Sequence, residues 1–186
     1  MKSRSYRTSG RPSQRAFLKA PTDEATPLRS PAFYTANHID LELGVRVVAV
    51  QSARKAAVLS SGREITFDML AITMGARPRR LTCEGADLQN VYYLRSVADA
   101  RLLKTVAAAA EHIVVIGAGF IGLEVAAALA QQHKRVTVIE AANRALERVV
   151  SPEISAFLRS AHVGHGVKML TSSTVQSLVG EKLFGE

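Results

Sequence analysis

The stretch 113–140, IVVIGAGFIGLEVAAALAQQHKRVTVIE, writes in order an apolar strand, a glycine turn, an Ala-rich helix, a second apolar strand and a terminal acid. These are the parts of a dinucleotide-binding βαβ unit. A GxGxxG alone is weak; one that leaves an apolar run and opens a helix of about three turns is specific. Gly117 permits the tight turn leaving the strand, Gly119 lets the backbone approach a pyrophosphate, and Gly122 lets the helix pack close to the sheet. Phe120 and Ile121 lie between the last two glycines, where the first helical turn presents unpaired N–H groups and the positive end of the helix dipole to an anion.

Glu140 selects the dinucleotide. A carboxylate at the end of the second strand accepts hydrogen bonds from the 2′- and 3′-hydroxyls of an adenosine ribose and repels a 2′-phosphate, which favours NAD over NADP. Arg144 and Arg148 follow closely and carry the opposite implication, since a guanidinium can pair with a phosphate; a solvated position in the following loop is the alternative for both.

The 186 residues, 47% hydrophobic and 22% charged, are ordinary for a globular chain that buries one good core or two small ones. No apolar run is long enough to span a bilayer, and the expected location is the cytoplasm, with no membrane partner. The single cysteine, Cys83, excludes an intramolecular disulfide and a CxxC redox pair. His162 and His165 share a three-residue spacing, but two ligands without a third do not make a metal site. The net charge of +8 is concentrated at one end: residues 1–31 carry seven Lys or Arg against Asp23 and Glu24. With one Tyr and one Phe in the first twenty residues to stack on bases, a nucleic-acid-binding arm is not expected.

Around the βαβ unit the pattern predicts strands at 39–43, 45–50, 56–59 and 64–67, with Ser61-Gly62 as a turn. It predicts a buried strand over Met69–Thr73 ending at Gly75. A helix follows at 97–110, N-capped by Ser96 with Asp99 three residues on. Beyond the unit come a Pro152-started helix to about 161 and a strand near 167–170. Residues 1–31, rich in Pro, Ser and Arg, read as loop with a short helix near 15–19.

TMGARPRRL (73–81), YYLRSVADA (92–100), IGAGFIGLEVAAA (116–128) and VIEAANRALERVVSPEIS (138–155) together resemble one family. It is the FAD-dependent pyridine nucleotide oxidoreductases of the ferredoxin, putidaredoxin and rubredoxin reductase type. The resemblance implies an α/β fold of Rossmann-like FAD- and NAD(P)-binding domains, the two-dinucleotide-binding-domain flavoprotein fold. Residues 1–100 would form part of the FAD domain and 101–186 part of the NAD(P) domain. It implies FAD and NADH as cofactors and a small iron-sulfur protein, ferredoxin- or rubredoxin-like, as the electron acceptor.

Carried over residue by residue, RPSQRAFL resembles the family's RPPLSKAFL, and Arg15 falls nearest the lysine that lies against the flavin, one residue short. This match assigns the basic stretch to a flavin segment rather than to the organellar transit peptide its composition suggests. Val47 resembles the position whose backbone meets the FAD adenine. Thr73 and Gly75 match the family's ATG segment, with Met74 in place of its Thr. Arg95 resembles an arginine that reaches the flavin cofactor, and Glu124 a glutamate near the nicotinamide; a solvated arginine and a first-turn acid favoured by the helix dipole are the alternatives. The family's own opening GxGxxG and its later Gly-Asp segment have no counterpart in these residues, so the fold is expected to be incomplete, a middle portion that holds FAD weakly or not at all by itself. Two further readings stand beside the reductase: a non-catalytic nucleotide-binding remnant, and a basic nucleic-acid-binding relative.

Overall fold

The computed structural model describes residues 29–180, which fall into two compact units, 29–76 and 77–180. Arg15 and the expected helix near 15–19 lie outside the described residues.

The first unit is built around an antiparallel meander of β1 (Val47–Gln51), β2 (Ala56–Leu59) and β3 (Glu64–Thr66), in the order β1-β2-β3. β1 pairs with β2 from Val47↔Leu59 to Gln51↔Ala56, with the register shifting between Val47 and Ala49; β2 pairs with β3 from Ala56↔Thr66 to Val58↔Glu64. A 3-10 turn, Ser52–Arg54, joins the first two strands, and Gly62, with φ +83°, joins the second pair where Ser61-Gly62 was expected to turn. Arg54 pairs with Glu64 at 3.1 Å and with Gln51 Oε1 at 2.8 Å, bracing that end of the meander. In β2, Ala56, Ala57 and Leu59 are buried and Val58 half-buried, while the apolar side chains of β1 stay exposed.

Two expectations fail in this unit. Met69–Thr73 forms no strand, and Met69 is 90% exposed. An apolar run becomes a buried strand only when strands hydrogen-bond beside it, and among the described residues none pairs with this segment. The stretch 39–43 is likewise irregular, whereas α1 (Pro31–Ala36), which went unforeseen, starts with Pro at its first position after Ser30.

The second unit is a parallel α/β layer. α2 (Val97–Ala109) leads into β4 (His112–Ile116), α3 (Phe120–Ala130), β5 (Arg135–Ile139), α4 (Pro152–Gly164) and β6 (Lys168–Leu170). The sheet order is β4-β5-β6, with β5 pairing from His112↔Arg135 to Ile116↔Ile139 on one side and from Thr137↔Lys168 to Ile139↔Leu170 on the other. Helical crossovers are what parallel neighbours require, and here α3 and α4 supply them. The central strand carries the core: Val136 and Val138 are buried with Leu123, Ala126 and Leu129 of α3 and Val167 before β6. α3 is apolar on most sides because its alanines and leucines pack against the sheet. The cap at Ser96 is complete: its hydroxyl accepts from the Asp99 N–H at 3.1 Å and the Asp99 carboxylate accepts from the Ser96 N–H at 2.6 Å. α4 is tied down by Ser155, whose buried hydroxyl donates to the Ala145 carbonyl at 2.6 Å.

Candidate functional site

The site lies where β4 becomes α3. Gly117 has φ +104°, a left-handed conformation that a side chain resists, so the chain can turn sharply out of the strand only with glycine here. Its N–H donates to the Ile139 carbonyl at 2.7 Å, which extends the β4–β5 ladder into the turn. At Gly122 a Cβ would stand 2.0 Å from the Gly117 carbonyl oxygen and 3.4 Å from Val115 Cγ1, so the helix can approach its own strand this closely only without one. Gly119 differs from both: it is the N-cap of α3 with extended backbone, and a Cβ there would meet nothing within 4 Å. The space beside Gly119 is open, as the approach of a diphosphate requires.

α3 has no side-chain cap at its N-terminus and no acid in its first turn. Leu123 N–H returns to the Gly119 carbonyl at 3.0 Å, which closes the first helical turn. The N–H groups of Phe120, Ile121 and Gly122 have no hydrogen-bond partner among the described residues. Unpaired amides at the positive end of an 11-residue helix can hold an anion. Phe120 and Ile121, the first two residues of the helix, are both exposed. Glu124 is the fifth residue of the helix, a turn beyond these amides, and half-buried, which sets aside the first-turn acid reading.

Glu140 follows β5, and its N–H donates to the Leu170 carbonyl at 2.8 Å. Its carboxylate is already engaged: Oε2 accepts from the Ala118 N–H at 2.6 Å and Oε1 from the Ala142 N–H at 2.8 Å. A carboxylate has about four acceptor positions, so two remain for ribose hydroxyls. The two arginines separate. Arg144 spends its guanidinium on the Val150 and Glu147 carbonyls, at 2.9 and 2.8 Å, folding the loop 144–150 onto itself. Arg148 is exposed on that loop with no partner among the described residues.

Gly117, Gly119, Phe120, Ile121, Gly122 and Glu140 are therefore brought together, with Glu124 one turn along the same helix. Val47, Thr73 and Gly75 belong to the other unit: Val47 opens β1, and Thr73 and Gly75 lie exposed on the irregular segment, Gly75 with φ +73°. Arg95 precedes the N-cap of α2, and its N–H donates to Asp99 at 3.0 Å. His162 and His165 are occupied by the fold. Both ring nitrogens of His162 face carbonyls, Leu158 at 2.9 Å and Leu123 at 3.1 Å, joining α4 to α3, and His165 Nδ1 faces the Ala161 carbonyl at 2.7 Å. Among the described residues no group of three or more metal-ligating side chains gathers, and no helix is long and apolar enough to cross a membrane.

Ala118 and Leu146 are positions at the glycine turn that went unseen in the sequence. Leu146 donates its N–H to the Ala118 carbonyl at 3.0 Å from a left-handed conformation, φ +52°, while its side chain is buried. A loop leucine gives no sequence signal of that kind.

A parallel sheet whose glycine turn opens a helix with free amides, beside an acid one strand over, defines a dinucleotide-binding protein of the Rossmann type. The chain belongs to the pyridine nucleotide-disulphide oxidoreductases, whose family pattern matches residues 7–183. It is 40% identical over 170 residues to rubredoxin-NAD(+) reductase of Pseudomonas putida, covering 91% of this chain and 44% of that one. It is 39% identical over 168 residues to putidaredoxin reductase CamA of the same species, covering 88% and 40%. The crystal structure of a ferredoxin reductase from Rhodopseudomonas palustris superposes with a TM-score of 0.82 at 34% identity, over 90% of this chain and 42% of that one. The putidaredoxin reductase in a covalent complex with putidaredoxin gives 0.78 at 37% identity, over 90% and 41%. The chain thus spans less than half the length of these relatives, whose names are those of the ferredoxin, putidaredoxin and rubredoxin reductases that the sequence motifs resemble.

Proposed function

We propose that this chain carries the NADH-binding unit and part of the flavin-binding portion of a cytoplasmic, NADH-dependent, FAD-containing reductase that passes electrons to a small iron-sulfur protein. The observation that carries it is the trio of free amides at Phe120, Ile121 and Gly122 beside the open space at Gly119, with Glu140 one strand away. The amides would hold the diphosphate, Glu140 would accept the adenosine ribose hydroxyls, and Glu124 would lie toward the nicotinamide. NAD is preferred over NADP because Glu140 is a carboxylate and because Arg144, one of two cations close after it, is committed to loop carbonyls. Arg148 would then meet the outer face of the nucleotide.

When bound, NADH supplies a hydride and FAD divides the electron pair into single electrons, so the chain needs no acid or base of its own and contributes orientation and electrostatics. Arg15, Val47, Thr73, Gly75 and Arg95 are assigned to FAD on the family's pattern. The acceptor is assigned through relatives named for rubredoxin and putidaredoxin.

The test uses the purified full chain with NADH, ferricyanide and FAD in large excess, so that weak flavin binding does not limit the outcome. Bleaching of the flavin absorbance on adding NADH, with turnover of the dye, supports the reductase. NADH binding without bleaching or turnover would favour the non-catalytic nucleotide-binding reading instead.

A further inference from the structure

Glu140 stands where an acid reads the ribose, yet both of its oxygens already bind backbone. Oε2 accepts from the N–H of Ala118, the central residue of the Gly117-Ala118-Gly119 turn, at 2.6 Å, and Oε1 accepts from the Ala142 N–H at 2.8 Å. Ala118 is completely buried, so its N–H has no water to turn to if the carboxylate is lost. The other side of the same residue, in the next peptide unit, is held too, since the Ala118 carbonyl accepts from Leu146 N–H at 3.0 Å. Leu146 keeps a left-handed backbone that a leucine adopts only where its surroundings hold it. The midpoint of the glycine turn is thus gripped from both sides by the segment that follows β5.

We propose that Glu140 is a positioning residue for the diphosphate-binding turn, apart from any contact it makes with ribose. The inference rests on reading this turn as the NADH site. The carboxylate takes up the Ala118 N–H and fixes that peptide, while the amides of Phe120, Ile121 and Gly122 stay open to the diphosphate, already aimed before ligand arrives. Preorganised donors bind an anion better than donors that must first be ordered. Only a carboxylate serves, because Ala118 and Ala142 both present donors: an amide in its place would set an NH2 group against one of them. An acid that only read the ribose would matter solely for ligands that carry the ribose hydroxyls.

The test compares the full chain with its Glu140→Gln variant, an isosteric change, using calorimetric titration of NADH and of an NADH analogue bearing 2′,3′-dideoxyadenosine. Amide hydrogen exchange at Ala118 is measured by NMR with no ligand present. The expected result is that Glu140→Gln weakens the dideoxy analogue by about tenfold or more and that Ala118 exchange accelerates in the variant. Loss of affinity for NADH alone, with the dideoxy analogue and Ala118 exchange unchanged, would overturn the proposal. If the variant does not fold, the wild-type chain decides: Ala118 must exchange more slowly than Phe120 and Ile121, and equal rates overturn it. A wild-type chain that binds neither nucleotide would instead contradict the NADH reading, leaving the exchange data to judge the brace by itself.

Discussion

Gly119 and Gly122 are three residues apart and separate binding from folding. Gly119→Ala places a methyl in open space on extended backbone, so stability should stay within about 0.5 kcal/mol of wild type, while the methyl stands where the diphosphate approaches and NADH affinity should fall about tenfold. Gly122→Ala drives a methyl into the Gly117 carbonyl, which forces the helix off its strand, and it should cost about 1–3 kcal/mol of stability. Urea denaturation and calorimetry read the two quantities; a destabilised Gly119→Ala or an unaffected Gly122→Ala would contradict the geometry. The duties of Gly117 and Gly122 were legible in the sequence because a turn and a close packing approach are local demands that only one residue type meets. The second duty of Glu140 was not, since the Ala118 N–H it binds lies 22 residues back and is brought near by the β4–β5 register. Nor could the sequence divide Arg144 from Arg148, whose difference is set by how the loop folds back on its own carbonyls.

At the scale of elements, the helix starts were written most clearly. Ser96 and Asp99 form both bonds of a capping box, so Ser96→Ala should lower stability by about 0.5–2 kcal/mol with α2 fraying first by hydrogen exchange; protection unchanged in α2 would count against the cap. At α4, the hydrogen bond from Ser151 lowers the pKa of the exposed Glu153 carboxyl from its ordinary value, with its own backbone N–H and then Arg144 adding to the effect against an opposing desolvation. A folded-state pKa that is depressed gives stability present above the unfolded-state pKa and lost as pH falls through the folded one. Glu153→Gln should therefore melt slightly below wild type at neutral pH, and the gap should close as the pH drops through the acid range. A gap that does not change with pH would remove the assignment. The strand foreseen at 69–73 failed because period and hydrophobicity describe a segment, whereas a parallel strand exists through its neighbours. Ser30-Pro31 shows the reverse case: the start signal for α1 was present and was passed over within a stretch rich in loop-forming residues.

For the whole molecule, the sequence motifs identified the α/β class and the family, and the second unit's β4-β5-β6 layer carries the part of the site that was read most fully. The flavin positions were less legible. Val47, Thr73 and Gly75 are backbone roles, and their residue types do not by themselves demand a ligand as a glycine fingerprint with a terminal acid does. The segment 69–74 leaves Met69, Leu70, Ile72 and Met74 exposed, a run of apolar side chains that favours self-association. Replacing Met69 and Ile72 with serine should raise the concentration at which the chain stays monomeric by light scattering, with NADH affinity unchanged. Equal aggregation in the variant would show that the segment is covered in solution.

Calorimetric titration of the full chain with NADH and, separately, with NADPH tests the nucleotide site most directly. One NADH should bind per chain, and NADPH should bind at least about tenfold more weakly, ~1.4 kcal/mol, because its 2′-phosphate meets the Glu140 carboxylate. No heat with NADH, or equal affinity for the two nucleotides, would contradict the reading of the glycine turn and its acid.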